Sequence, residues 1–239
     1  MSEPIRLDKR LVDMIHCTRA EAQKYIKGGW VRVDGEVEMR ANLKVQDQDV
    51  ALDADASLEP IPPVTILLNF PARFNENEPD APLQLIIPEN HSEDDDSGIE
   101  IINDHFYQLE PTSPLEEGAT GLMVFTKDYR VVRRLVEDDK KNEQEYVVEL
   151  NEEIEPKQIE KLNATMKQGS WPLPKAKVSQ QSEKRLRFAL AYVRPGQIEY
   201  MCQSVGLTVV SMRRIRIGRV SMAKLQPGQW RYLPKDFLF

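Results

Sequence analysis

Residues 18–37 read TRAEAQKYIKGGWVRVDGEV, and the order of signals in them sets the fold of the amino-terminal region. Thr18 stands three residues before Glu21. That is the spacing of a capping box, in which each side chain bonds an otherwise unpaired backbone donor at a helix start. The helix so opened carries Ala22, Tyr25 and Ile26 inward and ends at Gly28-Gly29, because glycine accepts the left-handed backbone that closes a helix. Trp30 to Val33 and Glu36-Val37 are strand-like and are split by Asp34-Gly35, a strong tight-hairpin signal. Upstream, Leu7, Leu11, Met14 and Ile15 fall on one side of a shorter helix. Downstream, residues 45–52 supply further strand. Residues 53–63, DADASLEPIPP, have the turn and proline chemistry of a linker. The chain therefore divides into a domain over 1–52, a linker over 53–63 and a larger domain over 64–239.

The larger domain opens with a strand over 64–69. Residues 70–98 mix Pro, Asn, Asp and Glu around one apolar stretch, 83–87, a strand candidate between solvated loops, and the acidic insert covers 73–98. Further strand candidates cover 105–109, 121–126, 145–150, 175–180, 185–193, 208–217 and 230–233. Helix candidates cover 128–137, 156–167 and 195–205, with Pro156 and Pro195 suited to a first helical turn. Strands outnumber helices and several are neighbours. This predicts an α+β fold with a mixed, mainly antiparallel sheet flanked by helices rather than a βαβ repeat.

Hydrophobic residues make up 41% and charged residues 30%, the balance of a water-soluble globular chain. No apolar run approaches the roughly 18 residues that span a bilayer, and residues 1–10 lack the apolar core of a secretory leader. Cys17 and Cys202 stand far apart, and there are three histidines and no HExxH. These argue against a disulfide framework and a metal site, and for a reduced, cytoplasmic setting.

The net charge of −7 is awkward for a nucleic-acid binder, because phosphate contacts supply much of the affinity. Distribution matters more than the total. Acid gathers at Glu93-Asp94-Asp95-Asp96. Base gathers at Arg213, Arg214, Arg216 and Arg219. Arg6, Lys9, Arg10, Arg19, Lys24 and Lys27 lie on or near the two amino-terminal helices, spaced so that several share one surface and reach phosphates. On the later strand, alternation sends Arg214 and Arg216 to one side. There they either contact phosphates or form an ion-paired sheet edge.

Two resemblances follow from these residues. Arg6-Leu7-Asp8-Lys9, Leu11, Thr18 to Ala22, Tyr25-Ile26, Gly29 to Val31 and Val33 to Gly35 together resemble the S4-type RNA-binding domain. That family sets two helices on a small twisted sheet and carries RNA on the basic helical face, which implies recognition of structured RNA by shape and backbone.

The rest of the chain resembles the RsuA-like family of ribosomal-RNA pseudouridine synthases. The likeness rests on residues 115–128, LEEGATGLMVFTKD, on Tyr146-Val147-Val148, on Asn69-Phe70-Pro71, and on residues 197–233, including Gln197-Ile198, Arg214 to Gly218 and Pro227 to Arg231. These enzymes convert uridine to pseudouridine without a cofactor. The resemblance implies that a carboxylate works beside the ribose, that Tyr146 stacks on the target base, and that an arginine pairs with the carboxylate. The family's aspartate aligns with Glu116, its arginine two residues earlier with Pro114, and its threonine with Ala119. The basic residue before the tyrosine aligns with Gln144, and the arginines of the third motif with Glu199-Tyr200. The extra methylene of Glu116 moves its oxygens by about 1 Å, which can cost on the order of 100-fold in rate, and a buried carboxylate without a cation has a raised pKa. The expectation is a monomeric, cofactor-free RNA-binding protein of this family that grips ribosomal RNA with Glu116 and Tyr146 in a catalytically impaired site. The alternatives are an active synthase using Glu116, and an interaction scaffold whose acidic insert meets a basic partner such as a ribosomal protein.

Overall fold

The computed structural model describes all residues except 1–2, 60–61, 75–77, 79, 107–108, 117, 139–141, 192 and 238. Its contacts divide into two compact units, one of Met1–Pro63 with Glu100–Gln108 and one of Val64–Ile99 with Leu109–Phe239.

In the first unit β1 (Ile5–Arg6) leads into α1 (Leu7–Ile15), then α2 (Arg19–Lys27), β2 (Val31–Val33), β3 (Glu36–Val37), β4 (Lys44–Val45) and β5 (Val50–Leu52). The capping box forms in both directions: Glu21 N–H donates to Thr18 Oγ1, and Thr18 N–H donates to Glu21 Oε2 at 2.7 Å. Asp34 and Gly35 take φ of 52° and 86°, the doubly positive backbone of a type I′ hairpin, and β2 pairs with both β3 and β5. Leu7, Leu11, Ala22, Ile26 and Val31 are fully buried together with Val45 and Val50. The core is thus the apolar face of both helices laid on the small sheet.

The second unit contains β6 (Thr65–Phe70), α3 (Ala81–Gln84), β7 (Pro111–Ser113), β8 (Ala119–Thr126), α4 (Tyr129–Val132), β9 (Gln144–Leu150), α5 (Pro156–Asn163), β10 (Lys167–Gln168), β11 (Trp171–Pro172), β12 (Ala176–Ser182), β13 (Arg185–Leu190), α6 (Gln197–Ser204), β14 (Val209–Ile217), β15 (Val220–Ser221) and β16 (Trp230–Tyr232). Its large sheet runs β12-β13-β9-β14-β8-β6-β16. The β14–β8 pair is parallel and the other pairs on this path are antiparallel, so the expected α+β, mainly antiparallel sheet is what forms. One apolar cluster joins β9, β12 and β13 to α5 and α6, and another joins β6, β8 and the residues after α4.

Several elements differ from expectation. Residues 83–87 are not a strand. Ala81–Gln84 is helical with proline in its first turn, and Pro88–Asn90 forms a 3-10 turn; prolines at these points start turns more readily than they join a ladder. Residues 103–106 are likewise a 3-10 turn, and the strand in this region is Pro111–Ser113. Pro195 precedes α6, which starts at Gln197. The helix after Asp128 widens into a π turn over Arg133–Glu137. The acidic stretch is not wholly solvated. Asp95 is tucked against the sheet, accepting the Tyr232 N–H at 2.8 Å and pairing with His91 at 2.7 Å, while the Trp230 indole donates to the Ile87 carbonyl at 2.6 Å. This segment covers the β16 edge of the sheet, which protects an otherwise open strand.

Candidate active site and RNA-facing surface

The site in the second unit is assembled by strand pairing. In β14, Arg214 pairs with Gly121 of β8 on one side and with Tyr146 of β9 on the other. Gly121 has φ of 96°, and a Cβ there would stand 2.3 Å from the Arg214 carbonyl oxygen. Only glycine lets the two strands approach this closely, so the glycine of the 115–128 motif brings Arg214 in.

Arg214 is buried, with 1% of its surface exposed. Its guanidinium donates to the carbonyls of Leu122 (2.8 Å), Ser113 (2.7 Å) and Pro114 (3.0 Å), to Ser113 Oγ (3.2 Å) and to Gln144 Oε1 (3.1 Å). A buried guanidinium needs such a cage because an unpaired buried charge is costly. The Tyr146 hydroxyl donates to the same Gln144 oxygen at 3.0 Å. Tyr146 is itself 1% exposed and belongs to the apolar core, and burial pushes its phenol up.

Glu116 lies in the loop between β7 and β8. Its Oε2 accepts the Gly196 N–H at 2.8 Å, just ahead of α6, and its Oε1 is buried without a hydrogen-bond partner among the described residues. Burial pushes the Glu116 carboxyl above the usual range. The Gly196 N–H opposes that shift, Glu199 adds to it, and the Arg214 charge opposes it. Arg214 is therefore the cation of this site, and the expectation of a carboxylate with no cation is corrected. The two are coupled through space; none of the five bonds of Arg214 goes to Glu116.

The arginine strand also departs from expectation. Alternation fails because the β14–β9 register shifts between Arg214 and Arg216. Arg214 turns into the core, and Arg216 ion-pairs with Glu143 and Glu145, each at 2.6 Å. Of the two readings of that strand, the ion-paired one describes Arg216, and neither arginine is presented as a free phosphate ligand. Sequence did not reveal Ser113 or Gly196 as partners: Ser113 acts through its carbonyl as well as its hydroxyl, and Gly196 acts through its N–H.

In the first unit, Arg6, Lys9, Arg10, Arg19, Lys24 and Lys27 are all exposed. Arg6 and Arg19 converge on one buried carboxylate, Asp8. Arg6 Nε and Nη2 reach its two oxygens at 3.0 Å, and Arg19 Nε and Gln23 Nε2 reach Oδ2 at 3.0 and 3.1 Å. These bonds hold the Asp8 carboxyl far below the usual range. Asp8 is thus an organiser of the basic face that sequence alone showed only as part of a motif. Lys24 and Lys27 border a cavity of about 260 Å³ that also includes Trp30. Among the described residues no group of three or more His, Cys, Asp or Glu is arranged to hold a metal, and no helix is long and apolar enough to cross a membrane.

Comparison with known proteins adds to this geometry. Residues 5–50 match the S4 domain family. Over the whole chain the fold is similar to a solved pseudouridylate synthase, with a TM-score of 0.59 at 20% identity, covering 97% of this chain and 96% of that one. The chain has a pseudouridine-synthase fold, with an S4-domain match over residues 5–50. In sequence it is 28% identical to an uncharacterized RNA pseudouridine synthase of Aquifex aeolicus, covering 97% of this chain and 94% of the relative. It is 28% identical to ribosomal small subunit pseudouridine synthase A of Vibrio parahaemolyticus, covering 97% of each. It is 26% identical to the dual-specificity RNA pseudouridine synthase RluF of Escherichia coli, covering 98% of this chain and 77% of the relative. The relatives carry the names of synthases, so the comparisons lend no support to an impaired site.

Proposed function

We propose that the chain grips structured ribosomal RNA, in the cytoplasm, and isomerises uridine at Glu116 slowly or not at all. The observation that carries this reading is the state of the Glu116 carboxyl. One oxygen is held by Gly196 and the other is buried and unpaired among the described residues, while the nearby guanidinium is committed to Ser113, Pro114, Leu122 and Gln144. A nucleophilic or charge-stabilising carboxylate must be ionised. Burial and Glu199 favour its protonated form, and Arg214 offsets them from a distance. Tyr146 is packed into the core, which is not the posture of a residue that receives a base. RNA binding is supported by the S4 match and by the exposed lysines and arginines of α1 and α2.

A second reading has its own observation. Glu116, Tyr146 and Arg214 do converge, each within electrostatic range of the other two, and that is the residue set an active uridine isomerase needs. Incubating the full chain with ribosomal RNA and mapping pseudouridine separates the two. Binding without new pseudouridine supports the first, and stoichiometric conversion at one nucleotide supports the second.

A further inference from the structure

The hairpin of β10 and β11 is used by neither reading. It stands apart from the large sheet as a two-stranded unit, Lys167 pairing with Pro172 and Gln168 with Trp171. Trp171 is 72% exposed, whereas Trp230 is fully buried. An exposed indole offers a large, rigid and amphipathic face to a partner. Its charge setting is equally distinctive. Residues 161–182 contain four lysines, Lys161, Lys167, Lys175 and Lys177, and no aspartate or glutamate, in a chain whose net charge is −7. All four lysines are exposed.

The hairpin is tied to the Glu116 site by a short chain of bonds. The Tyr200 hydroxyl of α6 donates to the Lys167 carbonyl at 3.0 Å. Gln197, the first residue of α6, donates to the Pro174 carbonyl at 2.9 Å. Its neighbour Gly196 holds Glu116. Tyr146 is enclosed, so an aromatic face for a base must come from elsewhere, and Trp171 stands on the element that α6 fixes beside this loop.

We propose that Trp171 is a stacking platform for an unpaired RNA base, with Lys167 and Lys175 holding the adjoining phosphates. This rests on the RNA-binding reading above and names the ligand class that the synthase unit takes. Aromatic stacking tolerates any base, because every base presents a π face, and cationic side chains beside it track the backbone. The hairpin thus selects single-stranded loops over duplex, as RNA readers that need unstacked bases do.

The test uses the full chain and two RNA probes of equal length, a stem with an unpaired loop and a fully paired duplex, at one fixed salt concentration. Wild type is expected to bind the loop RNA with quenching of tryptophan emission. Trp171→Ala is expected to lose that quench and to bind the loop RNA about 5- to 150-fold more weakly, with duplex binding unchanged. Trp171→Phe is expected to keep most of the loop affinity. Because Trp171 is exposed, all three proteins should melt together, which a thermal scan checks. If Trp171→Ala binds both RNAs as wild type does and keeps the quench, the stacking platform is wrong while RNA binding stands. If wild type binds neither RNA, both readings fall.

Discussion

Arg214 and Tyr146 lie opposite each other across β14 and β9, and both donate to a single acceptor, Gln144 Oε1. One uncharged side chain therefore accepts from a buried guanidinium and a buried phenol together. Substituting Gln144→Ala leaves the Tyr146 hydroxyl without its acceptor inside the core. Loss of a buried partner costs about 1–3 kcal/mol, and urea unfolding is expected to show a loss of that size without a change in slope.

Gly121 is the contact that admits Arg214. A Cβ at this position would overlap the Arg214 carbonyl at 2.3 Å, on backbone with φ of 96°. Gly121→Ala must either shift β14 away from β8 or bear the strain. The expected loss is more than about 2 kcal/mol, measured as a lower unfolding midpoint. A variant as stable as wild type would mean the two strands are not this close.

The Glu116 carboxyl has a raised pKa in the folded chain, so the folded state holds the proton more tightly than the unfolded state does. Stability from this group is present below about 4.3, the unfolded glutamate value, and is lost as pH rises through the higher folded value. Glu116→Gln is therefore expected to melt above wild type at pH 7 and level with it at pH 4. Equal melting at both pH values would contradict the burial of this carboxyl.

Asp8 has the opposite sign. Its carboxyl is depressed by the bonds from Arg6, Gln23 and Arg19, so its contribution is present above about 3.9, the unfolded aspartate value, and is lost as pH falls toward the folded value. Asp8→Asn is expected to destabilise the S4 unit by about 1–3 kcal/mol at pH 7. It also unpins Arg6 and Arg19, and weaker RNA binding should follow.

The exposed lysines and the paired Arg216 make contrasting predictions. Lys9→Glu with Lys24→Glu is expected to weaken RNA binding and to lower the slope of log affinity against log salt by about one for each lost phosphate contact. Arg216→Ala should leave both unchanged, because Arg216 is already held by Glu143 and Glu145.

Local signals were legible in the sequence and distant ones were not. The capping box at Thr18 and the turn at Asp34-Gly35 involve neighbours in the chain, so spacing alone announces them. Proline chemistry at Pro82 and Pro88 outweighed the apolar run 83–87, which made a strand the wrong expectation there. Arg214 and Arg216 obey alternation on paper, but a register shift between them separates their fates, and periodicity carries no trace of a bulge. Glu116 was legible by its place in a motif. Its partner Gly196 was not, because a backbone N–H leaves no residue type to recognise.

Under the proposed function, the fold binds RNA and the Glu116 carboxylate turns uridine over slowly or not at all. Ribosomal RNA tritiated at uridine C5 measures it most directly, since C5 loses its hydrogen to water when it bonds to the ribose. With the RNA saturated by the full chain, tritium release is expected to be at least about 100-fold slower than with an active synthase of the same fold, and release at that enzyme's own rate would contradict the claim.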